Sequence, residues 1–426
     1  MRLPMSSTRS EVSPTRTRFG RKTILLVLGP AVLAAAWQFG PGNISTAATI
    51  GAKYGYSMIW VIVFSGLLAL AFLDMGVRIG ISTKESPITI IRRDLGRWVG
   101  VILGCAYILL VLTYQVGNTL GAQVGIASAT GSSMIGTVGI WVSVVVALAL
   151  VWAPGSFYKY LERSMTALVG LMVAIFLVTA FVSHPDWASA AKGLIPTPPE
   201  GGISIQFLAL LGTSVSVNSA FFVIYSIKEK GTQASSYRES TIVDTVCGGI
   251  VSPALMTSLI VVAAAAILPP LGITAIGSGE ELAQVLEPVA GSYASVIFGL
   301  GIFAAGFTSM MVASAAGGLV LNDALGVSGD LNQRRVRVIT SAVLIFGLIA
   351  TLITGGQLPV QIIVTVQAVT LFFTPFLGLA LIWLSNRGSL MGSLRSRWYQ
   401  NALAIAGWLV LVVGSVLTAH EIVGMF

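Results

Sequence analysis

The chain has 426 residues, 55% hydrophobic and only 9% charged, with a formal net charge of +8. A soluble globule carries about 25% charge, so water is excluded as the main solvent, and recurrent apolar runs of about 20 residues fit a bilayer core as helices rather than as the short alternating strands of an outer-membrane barrel. The positive charge fits loops beside anionic lipid, because no basic stripe interleaved with aromatics points to nucleic acid; Cys105 and Cys247 lie far apart within apolar segments, which supports neither a disulfide framework nor a metal cluster and predicts buried, inert thiols.

Residues 1–22 hold six basic side chains against one acid, and the apolar run that follows lacks a small-residue cleavage site, so this stretch reads as a retained, disordered cytoplasmic tail. Eleven spans follow, at 23–49, 57–81, 98–128, 133–153, 161–183, 204–227, 241–268, 291–323, 336–355, 358–384 and 400–420. With the N-terminus inside and the C-terminus outside, the inner segments collect 21 of the 24 basic residues, leaving Lys53 and Lys192 outside and Arg78 within a span. That asymmetry is what the positive-inside rule demands, and one helix more or fewer would scramble it. The expected location is the cytoplasmic (inner) membrane.

In the first span, Gly40, Pro41, Gly42 and Asn43 interrupt the helix, because proline removes a donor and glycine relaxes the backbone. A packed kink and a discontinuous helix lining a substrate site both fit; irregular backbone at membrane depth is tolerated beside a cavity or inside protein, and so disruptive a sequence favours the second. Asp74 and Arg78, four apart near the inner end of span two, read as a structural or gating ion pair. Span three presents Gln115 and Asn118, three apart and so on one helical face, as a polar pathway or as interhelical glue.

The outer loop 184–203 is stiffened by Pro185, Pro196, Pro198 and Pro199 and separates a first group of five spans, 23–183, from a second, 204–384; a connecting loop and an eleventh helix fill 385–426. Span six carries the polar run Gly212–Ser219, with Ser216, Asn218 and Ser219, five spans after the first interruption. Five plus five is the periodicity of an inverted-repeat transporter, although no proline marks this second break and Ser/Thr packing between helices also explains the run. Thr308 and Ser309 in span eight fit either a cation site or close packing, and Gln367 in span ten completes a candidate midplane pocket. His184 and His420 are unaccompanied by Cys or carboxylate clusters and read as solvated or lightly packed. With no Ser/His/Asp set, paired carboxylates or phosphate-binding loop, neither enzyme activity nor a cofactor is expected.

These residues resemble the natural-resistance-associated macrophage protein (NRAMP) family of proton-coupled divalent metal-ion transporters, from about residue 25 to the C-terminus. The likeness rests on Gly29-Pro30 followed by Gly40-Pro41-Gly42-Asn43, on Gly51–Tyr56, on Lys159–Arg163, and on Pro185–Trp187 with Gly193–Pro196. It implies an all-α membrane protein with the LeuT-like fold, two inverted five-helix repeats plus one helix, working by alternating access with substrate between broken helices one and six.

Departures fall on the positions that the resemblance makes functional. The family's metal-binding aspartate in the first break is Gly40 here, with only Asn43 kept; its Met-Pro-His-Asn in helix six becomes Ser216-Val217-Asn218-Ser219; and its acidic pair in helix three falls on Gln115 and Asn118, while Gln367 matches the family's polar residue in helix ten. A dehydrated first-row dication needs anionic or soft ligands, and none is left, so Mn²⁺ or Fe²⁺ stripped of water is not expected at the family's site. Exposed N–H groups around Gly40 and Gly42 at a half-helix N-terminus favour an anionic group. The expected substrate is therefore a small polar organic solute, bound by Gly40, Gly42, Asn43, Ser216, Asn218, Ser219 and Gln367. The alternative is a divalent cation of the Mg or Mn type, held mostly hydrated by neutral oxygens. A sensor or assembly subunit that carries nothing is the reading from a different class. Beyond the substrate and the lipid bilayer no partner is expected; coupling ion, whether a symporter's or none, and oligomeric state are left open.

Overall fold

The computed structural model describes residues 40–153, 174, 176–230, 237, 246, 251–287, 291–327, 329–354 and 359–424. The expected tail, the first half of span one, the Lys159–Arg163 stretch with most of span five, the start of span seven, Asp244 and Cys247 lie outside the described residues. Among the described residues all regular structure is helical. The main helices are α1 (Pro41–Tyr54), α2 (Ile59–Ser82), α3 (Pro87–Asp94), α4 (Arg97–Thr130), α5 (Ser133–Trp152), α6 (Ile205–Val215), α7 (Val217–Lys230), α8 (Ser252–Ile267), α9 (Ala294–Ala324), α10 (Arg334–Ile353), α11 (Pro359–Val369), α12 (Thr374–Ser385) and α13 (Trp398–Val423).

Eight described stretches are long and apolar enough to cross a bilayer, and a ninth is a pair bent by 43° between Pro359–Phe372 and Thr374–Ser385. The nine coincide with expected spans two, three, four and six to eleven; of expected spans one and five only parts are described. Local chemistry sets their ends. Gly131 in the left-handed region closes α4, the Ser132 hydroxyl then accepts from Ile135 N–H to open α5, and Ser204 does the same for α6 through Phe207 N–H. Ser86 caps α3, with Pro87 in its first turn.

Packing follows membrane rules, with apolar side chains outward and small residues between helices. Trp141, Val142, Val145 and Val146 on α5 are exposed, as a lipid-facing surface requires. Where α4 crosses α9, a Cβ on Gly125 would sit 2.4 Å from Phe303 N, one on Gly299 2.5 Å from Ala129 N, and one on Gly306 2.6 Å from Ala122 N. Only glycine lets these two long helices touch backbone to backbone. Cys105, expected to be buried, is exposed on the apolar flank of α4, since helical geometry turns it away from the α9 contact.

The family-like motifs around residues 51–56 and 185–196 meet in space. A Cβ on Gly193 would lie 2.0 Å from Tyr56 O, Trp60 N–H donates to Gly193 O at 2.8 Å, and Asp186 N–H donates to the Tyr56 hydroxyl at 3.3 Å. The 184–203 loop is thus sewn onto the turn between α1 and α2.

Candidate functional site

The site forms where α1 begins and α6 ends. Gly40 is the N-cap of α1 in an extended conformation, Pro41 occupies the first turn, and Gly40 O accepts from Asn43 N–H at 3.1 Å and Ile44 N–H at 3.3 Å. The Gly-Pro-Gly-Asn sequence therefore opens a helix whose N-terminus points into the bundle. Opposite, α6 stops at Val215 because Ser216 takes the left-handed conformation (φ 41°, ψ 46°), and α7 restarts at Val217. Serine pays about 1–3 kcal/mol for such a conformation, offset in part by its hydroxyl donating to Thr213 O at 3.1 Å. The break expected in span six without proline is present, and a strained serine makes it.

Gly40, Gly42, Asn43, Tyr114, Asn118, Thr213, Ser216 and Gln367 line a common cavity of about 10 Å³, room for one water. Neighbours fill the places where side chains would be. A Cβ on Gly40 would lie 3.0 Å from Asn118 Oδ1 and 3.0 Å from Ser309 Oγ, so these two oxygens stand where a carboxylate at position 40 would reach. A Cβ on Gly42 would lie 1.8 Å from Gln367 Nε2. Gly117 and Gly212 also face α11: a Cβ on Gly212 would be 2.9 Å from Gln367 O.

Asn43 is 5% exposed, and its Oδ1 accepts from Thr257 Oγ1 at 2.9 Å. Thr257 on α8 is a participant that the sequence reading missed; its only signal was a hydroxyl in an apolar span. Tyr114 and Thr370 are hydrogen-bonded through their hydroxyls, and Thr370 donates to Gln367 O at 2.6 Å, which fixes the α11 backbone beside the site.

Three expected residues stand elsewhere. Asn218 and Ser219 are fully buried in the first turn of α7 but line no part of this cavity, because the left-handed residue at 216 redirects the chain and only Ser216 stays at the mouth. Gln115 and Asn118 do not form one pathway: Asn118 reaches the site, whereas Gln115 packs on α10, its Cγ 2.7 Å from a Cβ placed on Gly347. The 60° between residues three apart is enough, in a bundle this tight, to assign them to different neighbours.

Asp74 and Arg78 do pair, at 2.9 Å with Arg78 2% exposed, and they lie among the α13 contacts rather than at the site. Asp74 also accepts from the Tyr237 hydroxyl at 2.7 Å and Gln400 Nε2 at 3.1 Å, while Arg78 donates to Leu394 O at 3.0 Å and Ser396 Oγ at 3.2 Å. Among the described residues no three His, Cys, Asp or Glu side chains group closely enough to hold a metal ion. What faces the cavity is a set of neutral oxygens and amides.

A helix N-terminus and a helix C-terminus thus meet at one point in the bilayer. The end of α6 presents carbonyl oxygens and the negative end of its dipole, so it attracts cations, while the start of α1 favours anions. Such geometry can hold a small polar species between the start of α1 and the end of α6.

The comparisons agree with this architecture. The profile of the Nramp family, natural resistance-associated macrophage protein-like, matches residues 31–421. The divalent metal cation transporter MntH of Acidiphilium cryptum is 26% identical over 416 residues, covering 96% of this chain and 93% of its own length. The crystal structure of the Eremococcus coleocola manganese transporter in complex with an aromatic bis-isothiourea substituted compound superposes with a TM-score of 0.74 at 20% identity, covering 94% of this chain and 87% of that one. MhsT in complex with L-phenylalanine superposes at 0.61 and 12% identity, over 92% and 98% of the two chains, which shows the shared LeuT-like fold. The chain belongs to the Nramp family of membrane transporters.

Proposed function

We propose that the chain carries a divalent metal cation across the membrane by alternating access, and that the ion passes the site with most of its water shell. The near-complete match to a relative named a divalent metal cation transporter supports the cation over the organic solute suggested by the neutral lining. The lining decides how the cation is held. Asn43, Asn118, Thr213, Ser216 and Gln367 offer neutral donors and acceptors, which suit the waters of a hard ion such as Mg²⁺ and give no soft ligand for Cd²⁺. A water-sized gap means that α1 and α6 must part from α4 and α11 before the hydrated ion enters.

In this reading the N-terminus is inside and the C-terminus outside, in the cytoplasmic membrane, which the distribution of basic residues supports, and Gly40, Gly42, Asn43, Asn118, Ser216 and Gln367 are the substrate-binding set. The deciding measurement is uptake into proteoliposomes with Mg²⁺, Mn²⁺, Cd²⁺ and a panel of small amino and carboxylic acids. Mg²⁺ or Mn²⁺ flux that falls at least tenfold in Asn43→Ala, with Cd²⁺ no better, is the expected result. Flux of an organic acid with none of any dication would overturn the proposal.

A further inference from the structure

A polar cavity of about 210 Å³ lies outside the site at the lysine-bearing end of α7, between α7, α9 and the Lys84–Ser86 segment. Its walls include Ser86, Tyr225, Ser226, Lys228 and Asp323. Asp323 is 2% exposed; its Oδ2 accepts from the Tyr225 hydroxyl at 2.7 Å, and the carboxylate also interacts with the Ser86 and Thr89 hydroxyls. Ser226 is equally buried, and its hydroxyl has no hydrogen-bond partner among the described residues.

A carboxylate buried among neutral hydroxyls gains little to offset its lost hydration, so a cation beside it is favoured. The carboxylates within the described membrane-spanning stretches are Asp74, Asp323 and Glu421. Asp74 is neutralised by Arg78, and Glu421 sits in the last turn of α13. Asp323, also in the last turn of its helix, is 2% exposed where Glu421 is only part-buried, lies beside α7, and among the described residues is in no arginine ion pair. The Lys228 ammonium acts on it at longer range, and is tied to Thr83 O and Thr83 Oγ1 at 3.0 Å and to Glu85 O.

We infer that Asp323, with Ser86 and Ser226, forms a second and weaker station for the hydrated divalent cation, through which the ion leaves toward the basic face. This rests on the cation reading proposed above. A cavity of about 210 Å³ has room for an ion with its water shell, whereas the site's 10 Å³ holds one water. One carboxylate and two hydroxyls cannot strip that shell, so the ion is held through its waters. Lys228 and the exposed Lys84 at the rim repel it, which keeps binding weak and opposes return from the basic side.

The test is Mn²⁺ binding to the purified full chain in nanodiscs, followed by electron paramagnetic resonance and titration calorimetry, alongside Mg²⁺ flux. Two binding classes are expected in the parent protein. Asp323→Asn, which keeps the acceptor for Tyr225, removes the weaker class by at least tenfold; Lys228→Met strengthens it three- to tenfold; Asn43→Ala leaves it in place. Should Asp323→Asn prove poorly folded by size-exclusion chromatography, Lys228→Met and Ser226→Ala carry the decision, and weak-class affinities in both that equal the parent's overturn the station. Cation flux with a single class indifferent to Asp323→Asn and Lys228→Met overturns the station and leaves the cation reading standing. No dication binding and no flux overturn both.

Discussion

Gly42 is the tightest point of the site, since the Gln367 amide already occupies the space of any side chain there. Gly42→Ala is therefore expected to push Gln367 out of the cavity and cut cation flux at least tenfold, while Gly42→Ala with Gln367→Ser recovers folding stability; flux and thermal unfolding measured on both variants check this. Ser216 makes the opposite kind of demand. Its positive φ is free of strain for glycine, whereas the lost bond to Thr213 O costs about 1 kcal/mol, so Ser216→Gly should be nearly neutral in stability. Ser216→Val, β-branched in the same conformation, should lower stability by about 2 kcal/mol, read as a shift in unfolding midpoint. That Gly40, Asn43 and Gln367 share one cavity was legible in the sequence because composition alone marks a break or a lone amide in an apolar span. Thr257 was not, because a threonine that satisfies itself on Pro253 O looks the same in sequence whether or not it also meets Asn43.

Helix ends, by contrast, are local chemistry. The short helix Trp187–Lys192 is capped by Asp186, whose carboxylate accepts from Ala188 N–H, Ser189 N–H and the Ser189 hydroxyl. The Ser189 hydroxyl first, then its N–H, hold the carboxyl below the ordinary 3.8. A lowered folded value means that the cap's contribution is complete above the unfolded value and is lost as pH falls through the folded one. The stability difference between the parent and Asp186→Ala should be flat from pH 8 to 5 and close only in strong acid, which thermal unfolding across that range measures. Span boundaries were similarly accessible: the expected 133–153 is Ser133–Trp152, and 98–128 is Arg97–Thr130. Burial of Cys105 was not, because an evenly apolar helix carries no mark of which face meets lipid and which meets α9.

Across the whole molecule, the Asp74–Arg78 pair ties α2 to α13 and to the segment that precedes it. Removing one partner strands a buried charge at a cost of about 3–5 kcal/mol, whereas removing both with apolar replacements of similar size costs far less. Arg78→Met should therefore unfold well below the parent, and Asp74→Leu with Arg78→Met should regain most of the loss. A double-mutant cycle by thermal unfolding in detergent, run with cation flux, separates stability from gating: flux restored along with stability marks the pair as structural.

The sequence by itself determined the solvent, the helical class, most span boundaries and the family, because hydrophobic length and backbone-breaking residues act locally and leave a one-dimensional trace. Only the tertiary structure decided that Asn118 and Gln115 part company, that Asn218 and Ser219 stand away from the cavity lining, and that Thr257 joins Asn43. Those outcomes depend on which helices approach closely enough to exclude a single Cβ. In a bundle whose contacts are set by glycine, a rotation of 60° reassigns a side chain to another neighbour.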